Sequence, residues 1–376
     1  MASSSSTGCS TSSRRNCAQL KSRPPAAASH AVSEFGLIER HFQRPAPAGL
    51  LGVGDDCALL PGGMTAWAVS TDLLLEGRHF FPDVNPEALG HKALAVNLSD
   101  LAAMGAQPRG CTLGLGLPAV DDAWLAAFAR GFHALADEWQ CPLVGGDTTR
   151  SSAGVTISVT VFGSVGARRA LRRDAARVGD DIWVSGTLGE ADVALRLLLP
   201  AVPGALPPDD ASSLFDADGL QAWLRTLPSA AQTRLLAATR GRLERPSPRV
   251  GLGLALIGVA HAAIDVSDGL LQDLGHVVRA SGVSACLQAD ALPLGEALGA
   301  LPQGAGRCAA LGGGDAYELC FTAAATRRDD VIRAGARAGV PVTRIGDIVA
   351  GASAITVLDA HGEPLAGLPR GFDHFS

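Results

Sequence analysis

The chain has 376 residues, 47% of them hydrophobic and 18% charged, which is enough for two packed domains of an ordinary globular protein. No apolar run reaches the length that spans a bilayer, which excludes a membrane helix. A net charge of −6 without a lysine or arginine stripe argues against nucleic acid as the main partner.

The eight cysteines are scattered, with no paired spacing of zinc or redox type, so they read as reduced thiols in a cytoplasmic protein. Of the 31 lysine and arginine residues only Lys21 and Lys92 are lysine, a bias that reads as one of coding rather than function. Residues 1–30, rich in Ser, Ala and Arg and free of acids, read as a disordered extension with a faint transit-peptide flavour.

From Ser33, "SEFGLIERHF" predicts a short amphipathic helix capped by that serine. "LLGVGDDCALLP" then breaks an apolar run with two adjacent acids, Asp55 and Asp56. "TAWAVSTDLLL" and "GCTLGLGLP" read as strands, and "DDAWLAAFARGFHALADEW" as a helix. "GVTISVTVFGSV" alternates apolar with hydroxyl residues, the pattern of a half-buried strand. In "NPEALGHKALAVNLSDLAAMG", Asn85 caps a helix, Pro86 opens it and Gly105 closes it. Leu89, Ala93 and Val96 mark its apolar face, and Asp100 falls next in that series.

A second unit follows Gly163. It comprises a turn and strand in "GARRALRRDAARVGDDIWVSGTLG", a Pro- and Asp-rich surface excursion over 200–228, and a strand–turn–helix in "HAAIDVSDGLLQDLGHVVRASG". "LGGGDAYELCFTA" is a glycine-rich loop entering a strand, and "VTRIGDIV" is another strand. Alternating strands and helices in both halves predict two α/β domains, 31–164 and 165–376.

Acids recur at strand ends and on buried faces: Asp55, Asp56, Asp72, Asp100, Asp147, Asp265 and Asp268. Each singly fits a cap or turn. As a set without evident basic partners they call for another positive charge. Flanking hydroxyls at Ser70, Thr71, Ser99 and Ser267 suit a hard cation such as Mg²⁺. Phosphate-binding elements are modest: no Walker A sequence or dinucleotide fingerprint is present. The amides after Ser267 open a helix, those of "VGGDTT" lie in a glycine turn, and Arg173 can pair with phosphate.

These motifs, from "SEFGLIERHF" through "GVGDDCALL", "VSTDLLLEGRHF", "HKALAVNLSDLAAMGA", "LVGGDTTR" and "IDVSDGLLQDLGHVV" to "GGGDAYELCFT", resemble in order those of the thiamine-monophosphate kinase family. The likeness runs from Ser33 to the terminal "GFDHF". It implies a two-domain α/β fold like that of aminoimidazole ribonucleotide synthetase, with mixed or antiparallel sheets, helices on one side, and a homodimer formed through the N-terminal sheets. It further implies transfer of phosphate from ATP to thiamine monophosphate with several Mg²⁺ ions.

Carried over by motif, Asp56, Ser70, Thr71, Asp72, Asp100, Asp147, Asp265 and Asp268 would hold metal, with Asp72, Asp100, Asp147 and Asp268 central to catalysis. Gly146, Asp147, Arg173 and Ser267 would contact ATP, and His79, Asp315 and Phe372 the acceptor. Three departures stand out. Asp315 replaces a family Glu, Ala316 replaces an Asp, and Phe372 stands where Tyr is frequent. The excursion over 200–228 is also longer than usual.

A phosphate-monoester acceptor is largely ionised at neutral pH, its second pKa being about 6. No general base is needed, and His79 is read as orienting the acceptor. The rival readings are another ATP-using synthetase of the same superfold and an inactive thiamine-phosphate-binding protein.

Overall fold

The structure is a computed structural model, and it describes Gly36, Ile38, Glu39, Gln43, residues 45–202 and residues 216–372. The predicted cap at Ser33, residues 1–30, most of the first half of the 200–228 excursion and the final residues of the "GFDHF" motif lie outside these.

The first sheet has five strands: β1 (Ala58–Gly62), β2 (Thr65–Leu75), β3 (Gln107–Leu117), β4 (Leu143–Arg150) and β5 (Thr156–Gly166), in the order β1-β2-β5-β3-β4. All its pairings are antiparallel except β3 with β4. β5 keeps the predicted alternation: Ile157, Val159, Val161, Gly163 and Val165 are buried while the residues between them are half-buried. The opposite face stays open, with Trp67, Leu73, Leu75 and Val144 exposed.

The covered face carries α1 (Pro86–Ala103) and α2 (Asp122–Glu138). Asn85 caps α1 as its side chain accepts from the amides of Glu87 (2.9 Å) and Ala88 (3.2 Å), which that position requires. The two helices touch backbone to backbone: a Cβ on Gly90 would lie 2.0 Å from the Phe128 carbonyl oxygen, and one on Gly131 1.8 Å from that of Glu87. The sequence reading gave α1 one apolar face. The structure buries it nearly all round, because the second half of the molecule covers its far side.

That half is built on six strands: β6 (Asp180–Ser185), β7 (Ala262–Val266), β8 (Ser284–Gln288), β9 (Glu318–Ala324), β10 (Val342–Val349) and β11 (Ile355–Leu358), in the order β11-β8-β10-β6-β9-β7. Its helices are α3 (Glu190–Leu198), α4 (Ala217–Thr226), α5 (Ser229–Glu244), α6 (Val250–Leu256), α7 (Leu270–Ser281), α8 (Gln303–Gly312) and α9 (Arg328–Ala338). One hydrophobic core joins the halves, in which Leu94, Leu98 and Leu101 of α1 pack in the same cluster as Leu252 and Leu256 of α6 and Phe321 of β9.

One expectation needs correction. Residues 217–226 are a helix rather than a surface excursion: Asp216 caps α4, and Leu220 and Leu224 are completely buried beside Val193 of α3 and Leu298. The Pro and Asp content masked an i, i+4 apolar pair that tertiary packing uses. Six cysteines lie among the described residues, all buried free thiols.

Candidate active site

The junction of the halves gathers acids from three distant segments. Asp56 follows a turn in which Gly54 takes φ +122°, and the neighbouring Cys57 is anchored in the core. Asp100 lies on α1 and Asp265 in β7, and carboxylate oxygens of Asp56, Asp100 and Asp265 all come within 4.8 Å of one another. Hydroxyls hold two of them in place: Ser70 Oγ donates to Asp100 at 2.5 Å, and Ser99 Oγ to Asp265 at 2.7 Å.

Asp72 completes the wall from β2, its amide donating to Asn97 Oδ1 at 3.1 Å and its charge felt by both Asp100 and Asp265. Burial pushes the Asp265 carboxyl up to about 8; Asp56 and Asp72 add to this, and Ser99 and Arg173 oppose it. Asp100 is driven well above the usual carboxylate range by burial, then by Asp72, Asp265 and Asp56. Asp55, outside the cluster, is raised to about 7 by burial and by Asp56.

Arg173 answers the adjacent acids. Its Nε and Nη2 grip Asp56 at 3.0 and 2.9 Å, and its amide donates to Asp55 Oδ2 at 3.3 Å. The sequence reading saw no basic partner for these acids, and the structure supplies one: the Arg173 guanidinium, 117 residues along the chain from Asp56. Strand alternation turns the Thr71 side chain away from the cluster. Its hydroxyl faces the open side of the sheet, 2.8 Å from Thr160 Oγ1, so only its main chain remains near the cluster.

The amides after Ser267 are bonded within the protein. Asp273 Oδ2 accepts from the amides of Ser267, Asp268 and Gly269, each at 3.1 Å. This helix N-terminus supplies its own anion, a residue the sequence reading passed over inside "LLQDL". Gly146 and Asp147 are not brought to the cluster: both are exposed on β4, three strands from β2, roughly 14 Å at ordinary strand spacing. Gly146 itself is dictated locally, since at φ +150° a Cβ would lie 1.9 Å from the Leu113 carbonyl oxygen.

The residues assigned to the acceptor do assemble. The C-terminal tail docks on the turn before α7, with the Phe372 amide donating to the Asp268 carbonyl at 2.9 Å and Gln272 Nε2 bridging to Asp268 Oδ2 (3.2 Å) and the Phe372 carbonyl (2.6 Å). The Arg78 guanidinium lies 4.8 Å from the Phe372 ring centroid. His79 Nδ1 accepts from the Leu75 amide at 3.0 Å, which holds the ring in one orientation.

Asp315 is paired with Lys92 at 2.7 Å, so the lysine read as a bias of coding forms a buried ion pair with a residue the sequence assigned to the acceptor. Tyr317, the one tyrosine of the chain, was also missed; it faces Asp315, Asp72, Asp265 and Asp268, and burial first and then these charges push its phenol well up.

All-oxygen donors, three of them carboxylates crowded into a buried pocket with one guanidinium, suit a hard divalent cation. Asp56, Asp100, Asp265 and Asp72 are the side chains that would hold it.

Comparison with known proteins agrees with this architecture. Residues 54–165 match the family model "AIR synthase related protein, N-terminal domain" and residues 229–359 its C-terminal counterpart. The thiamine-monophosphate kinase of Salmonella typhimurium is 42% identical over 352 residues, 92% of this chain and 99% of that one. The crystal structure of thiamine-monophosphate kinase from Stenotrophomonas maltophilia K279a is 47% identical, with a TM-score of 0.67 over 82% of this chain and 91% of that one. AaThiL complexed with AMPPCP and TMP is 28% identical, with a TM-score of 0.70 over 93% and 99% of the two chains. On these grounds the chain belongs to the thiamine-monophosphate kinase family.

Proposed function

We propose that this protein transfers the γ-phosphoryl group of ATP to thiamine monophosphate, giving thiamine diphosphate and ADP. A phosphate oxygen of the acceptor bonds to the γ-phosphorus as the bond between that phosphorus and its β-bridging oxygen breaks. The observation that carries this reading is the buried carboxylate cluster of Asp56, Asp100 and Asp265 at the junction of the two halves, a few residues from the docked tail and the Asp315 loop.

Mg²⁺ held by these acids and Asp72 would neutralise the two phosphate groups that must meet. Ser70 and Ser99 keep Asp100 and Asp265 oriented, and Arg173 offsets the charge of Asp55 and Asp56. An ionised acceptor needs no base, so His79, Asp315 and Phe372 serve to bind and orient it. Asp268 joins them through the turn that receives the tail. Asp147 and Gly146 would serve the nucleotide from the β4 side, and Arg173 and Ser267 would reach ATP only by sharing groups already bonded within the protein.

We also assign the domain limits 31–164 and 165–376, a cytoplasmic location, and a homodimer through the open sheet face that exposes Trp67, Leu73, Leu75 and Val144. Among the described residues no helix is long and apolar enough to cross a membrane.

The test is direct: purified full chain with ATP, Mg²⁺ and thiamine monophosphate, with products separated by chromatography. Thiamine diphosphate and ADP in equal amounts support the reading. ADP formed only with other acceptors would favour a synthetase of the same superfold, and ligand binding without turnover an inactive binding protein; either result overturns it.

A further inference from the structure

We infer that Lys92 is a positioning residue for the acceptor, fixing Asp315 and the His79 main chain on the two walls between which the acceptor lies. This rests on the functional reading above. Lys92 extends from α1, in the five-stranded half, and is only 3% exposed. Its ammonium donates to Asp315 Oδ1 at 2.7 Å, across 223 residues of sequence and into the six-stranded half, and to the His79 carbonyl at 3.4 Å. One buried cation thus ties both halves together beside the residues assigned to the acceptor.

Choice of residue is informative. Arginine is the cation in the buried ion pairs of Asp56, Asp181, Asp192 and Glu318. Against that background a lysine in a closed pocket marks a place for a compact point charge rather than a planar fork.

Its partner is held with equal care. Asp315 and Tyr317 both adopt left-handed backbone, φ +58° and +49°, which costs non-glycine residues energy unless the surroundings enforce it. The enforcement comes from the β7 end: the Asp315 amide donates to the Ser267 carbonyl and that of Tyr317 to the Val266 carbonyl, each at 2.8 Å. Gly314 beside them has no room for a side chain, since a Cβ would lie 2.5 Å from the Ser267 carbonyl oxygen. Backbone strain aims the short aspartate stem, and Lys92 holds its head. The Asp315 side chain is 28% exposed, so without the ammonium it is drawn toward water and away from the cleft wall.

The experiment is a double-mutant cycle read on the KM for thiamine monophosphate, with kcat and the KM for ATP measured alongside. Lys92→Met and Asp315→Asn are each expected to raise the acceptor KM about tenfold or more, to lower kcat less than that, and to leave the ATP KM within twofold. Combined, they should raise the acceptor KM no further than the larger single effect, because both remove one interaction. Independent effects that multiply, or a loss confined to kcat or to ATP, would overturn the assignment.

Thermal unfolding of each variant separates misfolding from misplacement. If Lys92→Met does not fold, Lys92→Arg takes its place in the cycle, and full rescue of acceptor KM by arginine would also overturn the argument. Wild-type turnover is measured first. Its absence condemns the functional reading, whereas an active wild type with multiplying effects condemns only the role of Lys92.

Discussion

Arg173 and Asp56 face each other in a two-pronged ion pair, Nε to Oδ2 at 3.0 Å and Nη2 to Oδ1 at 2.9 Å, with Asp55 behind it at 4.0 Å. Adjacent acids in an apolar run are tolerated because this one guanidinium serves both. Removing it leaves two buried carboxylates uncompensated. Arg173→Met should cost about 3–5 kcal/mol in metal-free protein, measured by urea unfolding. A loss below about 1 kcal/mol would show that the acids are neutralised by other means.

The acid cluster makes stability depend on pH in a stated direction. Asp265 and Asp55 have folded values near 8 and 7, above those of an unfolded carboxylate. The folded state therefore binds more protons than the unfolded one between about pH 4 and 8, and its stability falls as pH rises through that window. Mg²⁺ should reverse this, stabilising more at pH 8 than at pH 5, since its ligands must be ionised. Asp265→Asn should flatten the metal-free profile and raise its thermal midpoint at pH 8 while abolishing most activity. An unchanged profile would place the titration elsewhere.

Asp72 lies close enough to the cluster for its charge to act on Asp100 and Asp265, and its amide bonds Asn97 Oδ1. Asp72→Asn should therefore fold normally and lose about 10²-fold or more in kcat at saturating Mg²⁺, on the scale of removing one charge-stabilising group from an active site. Near-normal turnover would remove Asp72 from the site.

Glu318 follows the Asp315 loop and is fully buried. Its carboxylate takes Arg242 of α5 at 2.7 Å, both prongs of Arg249 (2.5 and 2.6 Å) and the Ser185 hydroxyl at 2.6 Å. Glu318→Gln takes the counter-charge from Arg249 and leaves Arg242 only its longer pair with Glu190 at 3.6 Å, and should destabilise the protein by roughly 3 kcal/mol, seen as a lower urea midpoint. Because this knot anchors the loop that carries Asp315, the acceptor KM should rise in the same variant. A stable variant with normal acceptor KM would separate the knot from the site.

What could be read from the sequence were features set by local chemistry. Asn85 and Pro86 open α1 because capping and fixed φ act within a few residues. β5 shows its face because alternation has a period of two. The motif acids were recognisable because carboxylates in apolar surroundings conflict with burial. The same alternation turns Thr71 away from Ser70 and Asp72, while only the fold shows which face meets the cluster.

Tertiary structure alone decided who neutralises whom. Arg173 reaches Asp56 across 117 residues, Ser99 reaches Asp265 across 166, and Lys92 reaches Asp315 across 223. Asp273 takes the amides once offered to phosphate. Pairings of this kind depend on how two halves close over one buried helix, and electrostatic partners chosen through space leave no periodic trace along the chain.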